Sequence, residues 1–254
     1  MRLRDKVAII TGAAQGIGAA YAVGFAKEGA KIVIADILDG NRAVEDVKSA
    51  GSEAIFVKTD VSDEGQCMVL AKAAVDRFGK IDILINNAAI FANIVLRPFT
   101  EISSEEFKKV IDVNISGPFH CIKAVVPYMK QKGGKIINIG SASMLEGVPC
   151  MPHYVASKGA VMALTRSMAK ELGDFNINVN TIATGFTHSE GGDRFDRNKA
   201  IPIPPLEDLQ LHHRCIKRAA VPEDLLGTAL FLATDDSAFI SGQMIVHDGG
   251  LSFH

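Results

Sequence analysis

Short β-branched runs alternate with longer stretches of helical periodicity along almost the whole chain. KVAIIT, KIVIAD, AIFVKTD, IDILINN, GKIINIGS, INVNTIA and MIVHDGG are the strand candidates, and helical patterns fall at 16–28, 40–50, 63–78, 104–130, 152–172 and 222–233. Near-continuous apolar strands suit a parallel sheet covered on both faces, because a strand wetted on one face would alternate apolar with polar residues. Strands and helices taken in turn, joined by right-handed crossovers, predict an α/β fold: a doubly wound parallel sheet of about seven strands, the Rossmann arrangement. The 254 residues, 48% of them hydrophobic, can bury one large core, so a single domain over 1–254 is expected.

The rhythm breaks once, over about 188–218. Gly191 and Gly192 are followed there by IPIPPL, and Pro202, Pro204 and Pro205 argue against a regular element. A loop with a short helix after it is expected. The insertion follows the carboxyl end of the sixth strand, where ligands bind in such sheets, so it reads as a substrate lid.

Composition excludes several functions. The 27 basic and 29 acidic residues leave a formal charge of -2, which provides no polyanion-binding surface, and neither nucleic acid nor a membrane is expected as a partner. The apolar run before Thr11 and Gly12 is too short for a signal peptide, and no later segment approaches about 18 uninterrupted apolar residues. A soluble, cytoplasmic protein is the expectation. Cys67, Cys121, Cys150 and Cys215 form no CxxC pair and the histidines no HExxH, so free thiols and no metal are expected. Cys150 lies between Ser141 and Tyr154, where a thiol could line a pocket.

Three features carry chemistry. The first strand runs into Thr11-Gly12-Ala13-Ala14-Gln15-Gly16-Ile17-Gly18 and then directly into a helix. Glycines there let backbone amides approach a pyrophosphate at the helix amino end, although the GxxxGxG spacing departs from GxGxxG. The second strand ends in Asp36, whose carboxylate would accept hydrogen bonds from two free ribose hydroxyls and repel a 2′-phosphate, favouring NAD. Tyr154 and Lys158 stand four residues apart on one helical face. A neighbouring ammonium and a cationic cofactor ring would lower the phenol from about 10 toward neutrality, making it an acid and base.

With these residues the chain resembles the short-chain dehydrogenase/reductase family from about residue 6 to residue 250. The TGxxxGxG turn matches residues 11–18, and YxxxK matches Tyr154 and Lys158. Ser141 matches the catalytic serine and Asn114, in DVNISGPF, the catalytic asparagine. The resemblance implies that Gly12, Gln15, Gly16, Ile17 and Gly18 hold the cofactor phosphates, and that Asp60 and Val61 meet adenine. It implies that Asn86, Asn87 and Ala88 support the sheet and cofactor, and that Gly185, Thr187 and Ser189 surround the nicotinamide carboxamide. The chain departs from the family pattern at Ala89, where NNAG is common, and at Thr184, where PG is common.

The implied mechanism has Ser141 and Tyr154 holding the substrate oxygen, with Tyr154 accepting the proton in oxidation and returning it in reduction. Lys158 would lower the phenol pKa and bind the nicotinamide ribose, and Asn114 would hold a water joining Lys158 to solvent. The stretch containing Ser143, Met144, Leu145, Val148, Cys150, Met151 and His153 should approach the substrate, as should Ile90, Phe91, Ala92 and Asn93; His188 is a further candidate. Their mostly apolar character points to a small hydrophobic or aromatic secondary alcohol or ketone. The alternatives are a 3-oxoacyl-thioester reductase, disfavoured by Asp36 and the acidic charge, and a non-enzymatic NAD(H)-binding sensor or scaffold, disfavoured by the complete Asn114, Ser141, Tyr154 and Lys158 set. By resemblance, helices at about 104–130 and 152–172 would pack against a symmetry mate in a homotetramer, with Leu251 and Phe253 of the tail tucked into a neighbour.

Overall fold

The computed structural model describes residues 1–197, 199–201, 204 and 206–253, the side chains of Asp196, Leu206, Glu207 and Leu209 excepted. The chain runs β1 (Val7–Thr11), α1 (Gly16–Lys27), β2 (Lys31–Asp36), α2 (Asn41–Ser49), β3 (Ala54–Lys58), α3 (Glu64–Phe78), β4 (Ile83–Asn86) and α4 (Ser104–Ile111). It continues through α5 (Gly117–Met129), β5 (Gly134–Ser141), α6 (Ser143–Glu146), α7 (Pro152–Leu172), β6 (Ile177–Thr184), α8 (Glu190–Arg197), α9 (Leu206–His213), α10 (Pro222–Ala233) and β7 (Met244–His247). The seven strands form one parallel sheet in the order β3-β2-β1-β4-β5-β6-β7, so the order reverses between β1 and β4.

Both faces of the sheet are covered, as the apolar strands require. Ala8 and Ile10 of β1 point into a core with Tyr21 and Phe25 of α1, Val47 of α2 and Leu225 of α10. Ile9 points the other way, into a core with Leu70 of α3, Ile122 of α5 and Leu172 of α7. Alternate side chains of one strand thus feed two cores. Local signals fix the helix ends. The Asp63 carboxylate accepts from the Gln66 amide at the start of α3, and Gly79 ends it at φ 80. Proline opens both α7 and α10, where a missing amide proton costs nothing.

Two places differ from the sequence expectation. The single helix foreseen over 104–130 is interrupted by a π-helical turn, Asp112–Ser116, which widens the backbone around Asn114 just before Gly117 and Pro118. The insertion after β6 holds two helices, α8 and α9, where a loop and one short helix were foreseen; the Ser189 hydroxyl caps α8 by accepting from the Gly192 amide. Pro202 and Pro205 lie outside the described residues. In the tail, the Asp248 carboxylate accepts from the amides of Gly250, Leu251 and Ser252, and Phe253 is exposed. Among the described residues no helix is long and apolar enough to cross a membrane.

α1 and α10 cross at Gly24, where an added Cβ would lie 2.4 Å from Leu226 Cδ1. Gly24→Val, which sets two further methyl groups against the same leucine, is therefore expected to destabilise the fold by about 1–3 kcal/mol through overpacking. Urea unfolding checks this; wild-type stability would mean that α10 yields freely.

Candidate active site

A cavity of about 860 Å³ opens where the strand order reverses, at the carboxyl ends of β1, β2, β4, β5 and β6. Its floor on the β1 side is the glycine-rich turn. Gly12 adopts φ +65, and a Cβ there would lie 2.7 Å from Ala88 Cα; Gly16 is also left-handed at φ +61. Gly18 does not line the cavity. A Cβ on Gly18 would sit 2.3 Å from the Gly12 carbonyl, so this glycine lets α1 approach the turn. Thr11 Oγ1 accepts from the amides of Asn87 and Ala88, and Asn87 Nδ2 donates to the carbonyls of Thr11 and Gly12 at 2.9 Å. These bonds stitch the turn after β4 to the turn after β1.

Asp36 is buried at the end of β2, where Oδ2 accepts from the Ala14 amide at 2.9 Å and Oδ1 from the Leu38 amide at 3.0 Å. A carboxylate has about four acceptor sites, so capacity remains on the cavity side. Asp60 and Val61 line the same end, while Gly185, Thr187 and Ser189 line the other. A helix amino end without an acidic residue in its first turn, a side-chain-free cradle and a carboxylate across from it fit a dinucleotide whose ribose hydroxyls are free.

The reactive groups come from β5 and α7. Ser141 ends β5, and Tyr154 and Lys158 sit buried on one face of α7. Lys158 Nζ donates to the Ile139 carbonyl at 2.8 Å and lies 5.6 Å from the Tyr154 ring centroid. Burial pushes the Tyr154 phenol up to about 12, against a lowering by the Ser141 hydroxyl, and burial pulls Lys158 down to about 8. The lowering expected from the sequence, which counts a cationic cofactor ring as well as the ammonium, does not arise in the polypeptide by itself, where desolvation of the charged form dominates at both groups. Asn114 Oδ1 accepts from the Ile90 amide at 2.7 Å, and its Nδ2 donates to the Ile90 carbonyl and to Ser157 Oγ, which in turn donates to the Tyr154 carbonyl. Its side chain thus ties the loop after β4 to the first turns of α7.

An apolar wall stands over this set. Phe195 of α8, fully buried, stacks on Phe91 at 4.2 Å, and Phe91 tilts against Tyr154 at 5.1 Å. Ile94, Leu96, Met151 and Phe186 complete the cluster.

Comparison with known proteins agrees with this geometry. A family model described as enoyl-(acyl carrier protein) reductase matches residues 12–252. Galactitol 2-dehydrogenase of Agrobacterium fabrum is 42% identical over 98% of each chain, and 7alpha-hydroxysteroid dehydrogenase of Escherichia coli 34% identical over 98% of this chain and 95% of its own. A 3-oxoacyl-[acyl-carrier-protein] reductase of Thermotoga maritima is 36% identical over 99% of each. The crystal structure of a short chain dehydrogenase from Mycobacterium paratuberculosis bound to NAD superposes with a TM-score of 0.87 and 29% identity, covering 99% of both chains.

The chain is a short-chain dehydrogenase/reductase. It is accordingly an NAD(P)-dependent oxidoreductase by family. Of the twelve residues expected at the substrate, seven line the cavity, Ile90, Phe91, Ala92, Asn93, Ser143, Val148 and Met151, whereas Met144, Leu145, Cys150, His153 and His188 do not. Met144 and His153 each follow or precede a lining residue by one position, about 100° around their helices, and so face elsewhere. His153 is fully buried beside Phe107 and Glu106 of α4, its Nε2 3.5 Å from Glu106 Oε1. Cys150, held at φ 67, packs behind Tyr154, and His188 Nδ1 pairs with Asp193 Oδ1 at 2.8 Å. Cys67 and Cys121 are buried thiols 3.6 Å apart, whereas Cys215 is exposed. Residues of the lid escaped sequence reading, Phe195 above all; a lone phenylalanine in the polar run EGGDRFDR was the available signal.

Burial of Lys158 imposes a stability penalty. Below about pH 8 the ammonium is charged in folded and unfolded chains alike and the burial penalty is full. Between about 8 and the usual 10.5 the folded chain releases its proton first, so the penalty fades. Lys158→Met is expected to stabilise the nucleotide-free protein by about 1–3 kcal/mol at neutral pH, with the advantage shrinking across that window. Denaturant unfolding at about pH 7 and about pH 10 measures this; a variant less stable than wild type at neutral pH would contradict it.

Proposed function

We propose that this enzyme uses NAD to interconvert a small hydrophobic or aromatic secondary alcohol and its ketone, with Tyr154 as acid and base. The observation that carries the reading is the sharing of one cavity by Asp36, Ser141, Tyr154 and Lys158. When bound, the nicotinamide supplies a hydride acceptor or donor. Everything else falls to the chain. The hydroxyls of Ser141 and Tyr154 would hold the substrate oxygen and fix its carbon in place, and orientation of that kind supplies much of an enzyme's rate.

In reduction the neutral phenol is already the correct form, a proton donor aimed at a developing alkoxide. In oxidation the phenol must lose its proton first. Lys158, an ammonium below about pH 8, is the chain's own positive charge for that step. Asp36 supports NAD over NADP because a 2′-phosphate would meet a buried carboxylate. The stacked Phe91 and Phe195 support an apolar substrate, whereas the names of the relatives span a polyol, a steroid and an acyl-carrier thioester.

Steady-state assays with NADH, NADPH and a panel of aliphatic, alicyclic and aromatic ketones test the reading. NADH should be the better cofactor, and Tyr154→Phe should lower kcat by about a thousandfold with NADH binding nearly intact. Much higher activity with NADPH and 3-oxoacyl thioesters would favour the thioester reductase. NADH binding without turnover would favour a sensor.

Self-association into a homotetramer belongs to the same proposal. Exposed Phe107 on α4 and exposed Phe119 and Tyr128 on α5 support it, as apolar side chains on the helices expected to meet a symmetry mate. Light scattering at micromolar concentration should give four times the chain mass of 27.1 kDa, and a monomer would end the proposal.

A further inference from the structure

Three polar side chains stand in a lateral row across the middle of the sheet. Asn86 on β4, Asn138 on β5 and Thr181 on β6 occupy paired register positions, so all three leave the same face. Asn86 Nδ2 donates to Asn138 Oδ1 at 2.8 Å, Asn138 Nδ2 donates to Thr165 Oγ1 at 2.8 Å, and Thr165 Oγ1 shares a 2.7 Å bond with Thr181 Oγ1. Asn138, Thr165 and Thr181 have no exposed surface, and none of the four residues lines the cavity. An apolar row would pack there without needing partners. A bonded one tolerates a single seating, because sliding α7 by one residue would strand the Asn138 amide and both hydroxyls in a dry interior.

Thr165 follows Lys158 by seven residues and Tyr154 by eleven, about two and three helical turns, which places all three on the stripe of α7 that faces the sheet. β5 meets that stripe at three points. The Asn138 amide donates to Thr165, the Ile139 carbonyl accepts from Lys158, and the Ser141 hydroxyl interacts with Tyr154.

We propose that Asn138 and Thr165 are positioning residues: the hydrogen-bonded row from Asn86 to Thr181 sets how α7 sits on β5, and through that seat it places the reacting phenol and its ammonium partner. The inference rests on the acid–base reading of Tyr154 and Lys158. Tyr154 is the titratable group that faces Lys158; β5 presents to it the Ile139 carbonyl, and the π-helical turn presents Asn114 by way of Ser157, all neutral.

Thr165→Val is nearly isosteric and removes only the hydroxyl. Its kcat is expected to fall about tenfold or more with KM within about threefold, since small misplacements of reacting groups reduce rate more than binding. The apparent pKa of the kcat profile should move as well. In the protein without nucleotide, NMR titration of the Lys158 side chain should shift upward from about 8 toward the ordinary lysine value, as water reaches a loosened ammonium. Thr165→Ser keeps the hydroxyl and should restore all three quantities.

A Thr165→Val protein with a lower melting temperature but wild-type kcat, pH profile and Lys158 titration would overturn the proposal. If that variant does not fold, Thr181→Val decides by the same measurements: a smaller movement in the same directions supports the row, and wild-type values reject it. Should the wild type show no hydride transfer, the oxidoreductase reading falls, while the Lys158 titration still decides the seating of α7.

Discussion

A parallel sheet buried on both faces leaves water only at the ends of its strands, and every reactive group in this dehydrogenase obeys that constraint. The two apolar cores around β1 take in no carboxylate or ammonium, so charged groups collect where the strands stop. The strand order reverses between β1 and β4, hence the helices that follow them leave on opposite faces and a crevice opens between. Gly12, Asp36, Asn87 and Ser141 stand at or just beyond the ends of β1, β2, β4 and β5, brought together by topology from positions up to about half the chain apart.

Crevice chemistry is then governed by desolvation. The same enclosure acts on Tyr154 and Lys158 in opposite directions, raising one and lowering the other, so each is biased toward its neutral form. The expectation of a phenol near neutrality counts two cations, the ammonium and a bound nicotinamide ring, and burial acts against both. Burial brings Lys158 down to about 8, close to physiological pH, which would suit the part proposed for it in assisting proton transfer.

Periodicity made the fold legible. All seven strand candidates and five of the six helical stretches lie where the structure has them, the stretch over 104–130 being divided by the π-helical turn, because apolar patterning reports burial and burial is what the sheet demands. The glycine turn, Asp36, Ser141, Tyr154 and Lys158 were legible for a related reason: each sits at a strand end or on a helix face that the pattern had already located. The illegible parts depend on what a side chain packs against. Nothing local distinguishes the π-helical turn around Asn114 from ordinary helix, and His153, one residue from Tyr154, faces α4 because of a rotation that sequence spacing gives only once the helix is docked. The Asn138 row is of this kind too, since its four members come from three strands and a helix far apart in sequence.

The insertion that the sequence reading takes as a substrate lid is held differently from the rest of the cavity. α8 reads EGGDRFDR, and Phe195 is the one large apolar side chain it offers. That ring is fully buried on Phe91, whereas Gly12, Ser141 and Lys158 are carried by strands and helices with continuous cores behind them. Burying a phenylalanine contributes about 1.5–3 kcal/mol, which would leave an opened lid at roughly one molecule in ten to one in two hundred if that ring were its main attachment. Local opening on this scale needs no disturbance of the sheet. The same stack that closes the apolar wall over Tyr154 would therefore also set how readily such a lid opens, so the two could not be altered independently at Phe195.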